Sequence, residues 1–262
     1  MRKPQGPLYN FWQHARRFAV PVILIALWQG VCSAGLISPR VAPSPIGVME
    51  TASELFMSGE LMSSLGTSLL RVAIGLAIGI SLGTVLALIA GLWKSGEDAV
   101  DATLQMLRTL PFLGLVPLFI LWFGIGETPK IALVVVGSVF PIYMALFAGI
   151  RGVDKKLIEA ATTLGLTRWE MIVHIVLPGA LPSALVGLRY AMGIALLSLV
   201  VSEQVNADSG IGYLIMSARD VLRTDIIFVG LFVYAILGLA ADQLVRIFER
   251  SLLYWRPSFV KG

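Results

Sequence analysis

Apolar residues run along this chain in long blocks rather than in strict alternation, which predicts helices, not strands. A helix needs about 20 predominantly apolar residues to cross a hydrocarbon core of about 30 Å. Six stretches qualify, at roughly 18–36, 65–93, 103–123, 130–150, 184–202 and 226–248. They predict an all-α, multi-pass membrane protein with six transmembrane helices. The membrane domain then covers residues 18–250, between an N-terminal segment 1–17 and a tail 251–262. The run Tyr9-Asn-Phe-Trp-Gln-His-Ala-Arg-Arg17 is aromatic and basic, which suits the membrane interface. Basic residues before an apolar core can also mark a signal peptide. The length of the first run, and the lack of a convincing small-x-small cleavage site, favour an uncleaved anchor.

Within the blocks the small residues and prolines are patterned. The second span carries Gly75, Gly79, Gly83, Ala87 and Gly91, one small residue every fourth position on a single helical stripe. Such a stripe lets another backbone approach closely in lipid. An internal helix–helix seam is expected, with a seam between two copies as the alternative. The third span contains Pro111, Gly114 and Pro117, and the fourth contains Pro141. Each proline removes a backbone donor, so kinks or breaks are expected there. Broken helices at membrane depth are tolerated where protein or a water-filled cavity surrounds them, which favours a transport path.

Composition strengthens the membrane reading. Of the 262 residues, 57% are hydrophobic and 14% charged, against roughly 25% charged in a soluble domain. Mean hydropathy is +0.85. The net charge of +4 does not point to nucleic acid, because Lys and Arg collect at the ends of apolar segments and no binding motif accompanies them. With both termini inside, the cytoplasmic segments hold thirteen Lys and Arg residues, and the outer segments hold only Arg40, Lys130, Arg219 and Arg223. That imbalance satisfies the positive-inside rule. A single cysteine, Cys32, excludes an internal disulfide. His14 and His174 are the only histidines, too few for a metal cluster, and no catalytic constellation is evident. No G-x-x-x-x-G-K-[ST] phosphate loop occurs, so any ATP that drives this protein binds another polypeptide.

Ionisable groups inside spans are costly and become functional candidates by default. Arg71 and Glu203 come out at similar depths near the outer ends of their spans, and Arg189 and Asp242 near the inner ends. Each pair is a candidate structural or gating ion pair, with snorkelling to the headgroups as the alternative. If a pair exists, exchanging its two charges should restore transport lost in the single mutants. Arg108, just before Pro111, is a candidate cation for an anion path. The outer stretch 209–222 suits a short helix lying against the bundle.

The cytoplasmic stretch 151–182 is too polar for the core and too patterned for a linker. Asp154 can cap a helix starting at Lys155, and Gly165 supplies the left-handed residue that ends it. Thr167 with Glu170 forms a capping-box signature for a second helix. Leu157, Ala161 and Leu164 share one face, and Leu177-Pro178-Gly-Ala-Leu-Pro182 is expected to interrupt the chain before the fifth span. An apolar face projected into the cytoplasm needs a protein or the interface to cover it.

Glu159-Ala160-Ala161, then Gly165, then Ile175-x-Leu177-Pro178 resembles the EAA loop of permease subunits in bacterial ABC importers. The resemblance implies a type I, MetI-like permease fold. It also implies that Glu159, Ala160, Ala161, Gly165, Ile175, Leu177 and Pro178 form a coupling loop seated in a groove of the ATPase subunit. Further runs are similar to the branch importing aliphatic sulfonates, taurine, nitrate or bicarbonate: Arg108-Thr-Leu-Pro111, Leu121 to Lys130, and Ser209-Gly-Ile-Gly-Tyr213. The resemblance covers about Trp28 to Pro257, and the phrasing around Asn206–Asp220 leans towards sulfonate permeases.

What it implies is a homodimeric inner-membrane permease that moves a small anion inward by alternating access. The gate or path candidates are Arg108, Pro111, Arg71, Arg189, Glu203 and Asp242. No cofactor is expected on this chain, since ATP and magnesium belong to a partner ATPase dimer. A periplasmic or lipid-anchored binding protein would deliver the substrate. The rival reading is an ion-coupled secondary transporter in which Glu203 and Asp242 relay charge, but it gives the Glu159 loop no purpose.

Overall fold

The structure, a computed structural model, describes residues 7–111 and 114–255, and side-chain surroundings from Ala19 onward except at Asn206. Every regular element among them is helical. In chain order these are α1 (Pro7–Ser33), α2 (Pro45–Met57), α3 (Glu60–Leu92), α4 (Lys94–Arg108), α5 (Leu115–Phe123), α6 (Glu127–Arg151), α7 (Lys155–Thr163), α8 (Arg168–Met171), α9 (Leu177–Asn206), α10 (Ile211–Asp220) and α11 (Thr224–Leu252). A π-helical turn, Ile172–Val176, joins α8 to α9. Residues 1–6 of the N-terminal segment and 256–262 of the tail lie outside what is described.

Among the described residues, four helices are long and apolar enough to span a membrane: α3, α6, Arg168–Val205 and α11. They occupy the stretches expected at 65–93, 130–150, 184–202 and 226–248. The described apolar part of α1, Ala19–Ser33, is shorter. The stretch expected as one span at 103–123 is two helices. α4 already starts at Lys94, carries the polar Glu97, Asp98, Asp101 and Gln105, and buries none of its residues. Helix α5 resumes only at Leu115. Pro111 explains the gap: it offers no N–H, and its ring biases Leu110 away from helical angles. The central Phe112 and Leu113 lie outside the described residues. Pro141, by contrast, sits inside an unbroken α6.

The expected interruption at 177–182 is also corrected, because Pro178 and Pro182 both lie inside the continuous helical path from Arg168 to Asn206. A proline in a helix leaves the carbonyl four residues earlier without a donor. Here the turn before Pro178 widens, the Leu177 N–H donating to Ile172 O, and the path shifts register by one residue instead of stopping.

The chain divides into two compact units. The smaller contains the residues up to Met62 together with Leu214–Phe232. Its α2 starts at Pro45, where the Ser44 hydroxyl accepts from the Gly47 N–H at 3.1 Å. The Trp28 ring lies 5.5 Å from Phe228 and 6.4 Å from Phe232, centroid to centroid. Thr51 Oγ1 donates to Asp225 Oδ2 at 2.9 Å, and Arg223 Nη2 donates to the same oxygen at 2.6 Å.

The larger unit, Ser63–Tyr213 with Val233–Gly262, is organised around α6. One side of α6 meets the small-residue stripe of α3. A Cβ added at Gly79 would collide with Ser138 Oγ, and one at Gly83 would stand 2.7 Å from Val139 O. A neighbouring face of α6 meets α9, where a Cβ at Gly187 would stand 3.0 Å from Pro141 O. The stripe is therefore an internal seam, held by dispersion between closely approaching backbones. Leu133, Val134, Tyr143 and Leu146 of α6 fill the core with Ala87 and Ala90 of α3 and Ala191, Ala195 and Leu199 of α9.

Candidate functional site

The hairpin α7–α8 is built by local rules. The Asp154 carboxylate accepts from the Lys156 N–H at 2.9 Å and starts α7. At the other end Gly165 takes φ +80°, open to glycine without steric cost. The Gly165 N–H donates to Thr162 O at 3.0 Å and the Leu166 N–H to Ala161 O at 3.1 Å, a Schellman closure. Both halves of the Thr167/Glu170 capping box form. Glu159 and Ala160 are exposed, whereas Ala161 is buried. Leu157, Leu164 and Trp169 are more than half exposed. Leu157 and Leu164 thus stay uncovered while Ala161, on the same face, is enclosed. Ile175 is half-buried, Leu177 exposed and Pro178 half-buried, so the far end of the motif lies along the helix rather than in the hairpin. Arg168 anchors the second arm, its Nη2 donating to Leu92 O at 3.1 Å.

A second constellation surrounds Arg71, and all five of its guanidinium N–H groups have acceptors. Nε and Nη2 form a fork on Glu127, at 2.5 and 2.7 Å. Nη1 donates to Glu203 Oε1 and to Ser209 O, both at 2.7 Å, and Nη2 also reaches Ser209 Oγ at 3.1 Å. Glu203 is equally occupied. It accepts from the Ser68 hydroxyl at 2.8 Å, from the Gly212 N–H at 2.8 Å and from Tyr234 OH at 3.2 Å. Both charges are enclosed, with 2% of the Arg71 side chain and none of that of Glu203 exposed. A buried charge is tolerated only when paired and hydrogen-bonded, a condition met at every atom here. Lys130, also buried, donates to Glu127 Oε1 at 2.9 Å.

This network explains the run Ser209-Gly-Ile-Gly-Tyr213. Gly210 has φ +109°, and an added Cβ there would collide with Glu203 Oε1 and stand 2.7 Å from Arg71 Nη1. One glycine therefore lies directly on the ion pair, and the next donates its N–H to it. Sequence reasoning brought Arg71 and Glu203 together but missed Glu127, Ser68, Tyr234 and Lys130. The legible clue was a glycine-rich turn close behind an intramembrane acid.

Arg189 and Asp242 also meet, Nε to Oδ1 at 3.2 Å. They belong to a wider group, for Arg189 Nη2 donates to Glu249 at 2.8 Å and Arg246 Nε to Asp242 at 2.7 Å. These side chains are 30–54% exposed, a far wetter setting than that of Arg71. Arg108 is elsewhere. It stands with Leu107 and Leu110 at an apolar cavity of about 540 Å³ walled by Leu115 of α5, Val136, Phe140, Pro141 and Met144 of α6, and Val186, Tyr190 and Ile194 of α9. Pro111 itself does not line it.

The comparisons with known proteins agree with this architecture. Residues 79–254 match the family described as binding-protein-dependent transport system inner membrane component. The chain belongs to that family. SsuC of Bacillus subtilis strain 168, named an aliphatic sulfonates transport permease, is 42% identical over 99% of this chain and 93% of its own. Its Escherichia coli K12 counterpart of the same name is 47% identical over 92% of this chain and 91% of its own. TauC of E. coli K12, a taurine transport permease, is 32% identical over 93% of this chain and 92% of its own. Among solved structures, an amino acid ABC transporter chain superposes with a TM-score of 0.64 at 20% identity, covering 76% of this chain and 97% of that one. The permease is thus the membrane-spanning subunit of an ABC importer with the type I fold. A separate ATPase subunit and a substrate-binding protein complete such an importer.

Proposed function

We propose that this permease imports aliphatic sulfonates across the bacterial inner membrane, as a homodimer coupled to two ATPase subunits through the α7–α8 hairpin. The observation that carries the reading is the hairpin: two capped helices, rigidly closed, present exposed Glu159, Leu157, Leu164 and Trp169 that nothing among the described residues covers. An ATPase groove is the partner that such a face fits. Glu159, Ala160 and Gly165 form the tip that it grips, while Ile175, Leu177 and Pro178 carry its motion into α9. ATP and magnesium act on the ATPase, and both termini of the permease face the cytoplasm.

The substrate class rests on the sulfonate permeases that align with almost the whole chain. With the termini inside, the Arg71–Glu203 network lies towards the periplasm and the Arg189–Asp242 group towards the cytoplasm. Each can hold its end of the pathway in one of two arrangements. A binding protein docked outside and ATP bound inside would bias that equilibrium only by their differential affinity for the two states.

Reconstituted permease, ATPase and binding protein should take up an alkanesulfonate only with ATP on the ATPase side, and uptake should survive collapse of the proton gradient. Uptake that follows the gradient and ignores ATP would overturn the reading.

A further inference from the structure

The cavity behind Arg108 combines two properties that select a ligand. Its walls, among them Phe140, Met144, Val186 and Ile194, are apolar side chains. Its one cation is Arg108, which is exposed and, among the described residues, pairs with no carboxylate; its only hydrogen-bond partner there is the soft sulfur of Met144, at 2.8 Å. Arg71 of α3 and Arg189 of α9, by contrast, both pair with acidic partners. A volume of about 540 Å³ falls within the usual range for small-molecule sites, where apolar walls surround a few fixed polar groups.

We infer that this cavity is a substrate-binding site of the permease itself, and that it takes an anionic head with an apolar tail. Arg108 receives the sulfonate oxygens as a planar fork of donors, and the hydrocarbon tail lies against Phe140 and Val186. Tyr190, on the same wall, supplies a hydroxyl to fix the orientation. The chemistry separates anions that share a charge. Nitrate and bicarbonate leave the apolar walls unfilled. Taurine would bring an ammonium group into a cavity whose described lining offers no carboxylate, so its desolvation goes uncompensated. Straight-chain alkanesulfonates of four to six carbons satisfy both ends. This inference rests on the sulfonate reading and adds a selectivity that the binding protein alone would not impose.

The test separates the two claims. Binding of pentanesulfonate to the purified permease in nanodiscs, without binding protein, is measured beside ethanesulfonate, taurine, nitrate and neutral pentanol. Pentanesulfonate should bind best and pentanol not at all, and Arg108→Gln should weaken it at least about tenfold. Val186→Phe should shift the preference towards shorter chains, an outcome that mere loss of packing would not produce. Equal binding of pentanol would mark the cavity as a lipid-facing surface and overturn the inference, as would binding indifferent to Arg108→Gln. In proteoliposomes of the complete importer, wild-type pentanesulfonate uptake with no change of chain-length profile in Val186→Phe would sink the cavity and leave the proposed function standing. Absence of sulfonate uptake by the wild type, with pentanesulfonate still bound through Arg108, would sink the transport reading instead.

Discussion

At the scale of single residues, the buried network decides what a mutation can do. Arg71 spends its five donors on Glu127, Glu203 and Ser209, and Glu203 accepts from Ser68, Gly212 and Tyr234 as well. Exchanging the two charges cannot reproduce this, because an acid at position 71 would face Glu127 and a guanidinium at position 203 would face the Gly212 N–H. The double mutant Arg71→Glu with Glu203→Arg should therefore fare no better than either single mutant, contrary to what pairing alone suggests. Glu203→Gln keeps the shape and removes the charge, leaving Arg71 with Glu127 only. Breaking a buried pair in this way costs about 3 kcal/mol, visible as a lower thermal midpoint in detergent. An unchanged midpoint would show that Glu127 alone balances the arginine. The pair was legible because both charges fall at similar depth in apolar blocks. Glu127 and Tyr234 were not, since tertiary packing brings them in from distant positions, and Ser68, one turn from Arg71 on α3, carries no charge to mark it.

At the scale of elements, capping chemistry read well and proline read badly. Asp154, Gly165 and the Thr167/Glu170 box act within four residues of themselves, so sequence alone located both helices of the hairpin. Prolines act through what the surrounding backbone can absorb. The gap after α4 follows Pro111, whereas a π-turn absorbs Pro178 and α6 carries Pro141 without ending. The same proline rule therefore gives a break, a register shift or an intact helix, and the choice depends on neighbours. The hairpin's dependence on Gly165 is testable. A β-branched residue at φ +80° pays about 1–2 kcal/mol for the left-handed conformation and loosens the Schellman closure. Gly165→Val should leave the permease inserted in the membrane at normal abundance while its ATPase no longer co-purifies. Retention of the ATPase at wild-type yield would mean that the turn's rigidity is not what the ATPase grips.

At the scale of the whole molecule, the rival picture of a charge relay loses its candidates. Glu203 is locked by hydrogen bonds and Asp242 is paired with Arg189 and Arg246, so neither stands free to pass a proton. What remains to be checked is which way the molecule faces, since everything assigned to the hairpin requires it to be cytoplasmic. Charge distribution argues for this, with Lys155, Lys156 and Arg168 in the hairpin and only Arg219 and Arg223 in the loop between α9 and α11. The single cysteine makes the experiment clean. Cys32 is half-buried, with its sulfur 3.8 Å from Ala42 O, and Cys32→Ala removes the only native thiol. In that background Lys156→Cys and Arg40→Cys place one probe on each proposed side. A membrane-impermeant maleimide added to intact spheroplasts should label position 40 at once and position 156 only after permeabilisation. Labelling of position 156 in intact spheroplasts would put the hairpin outside, beyond the reach of any ATPase. The coupling role would then fall even if every helix in the fold stood.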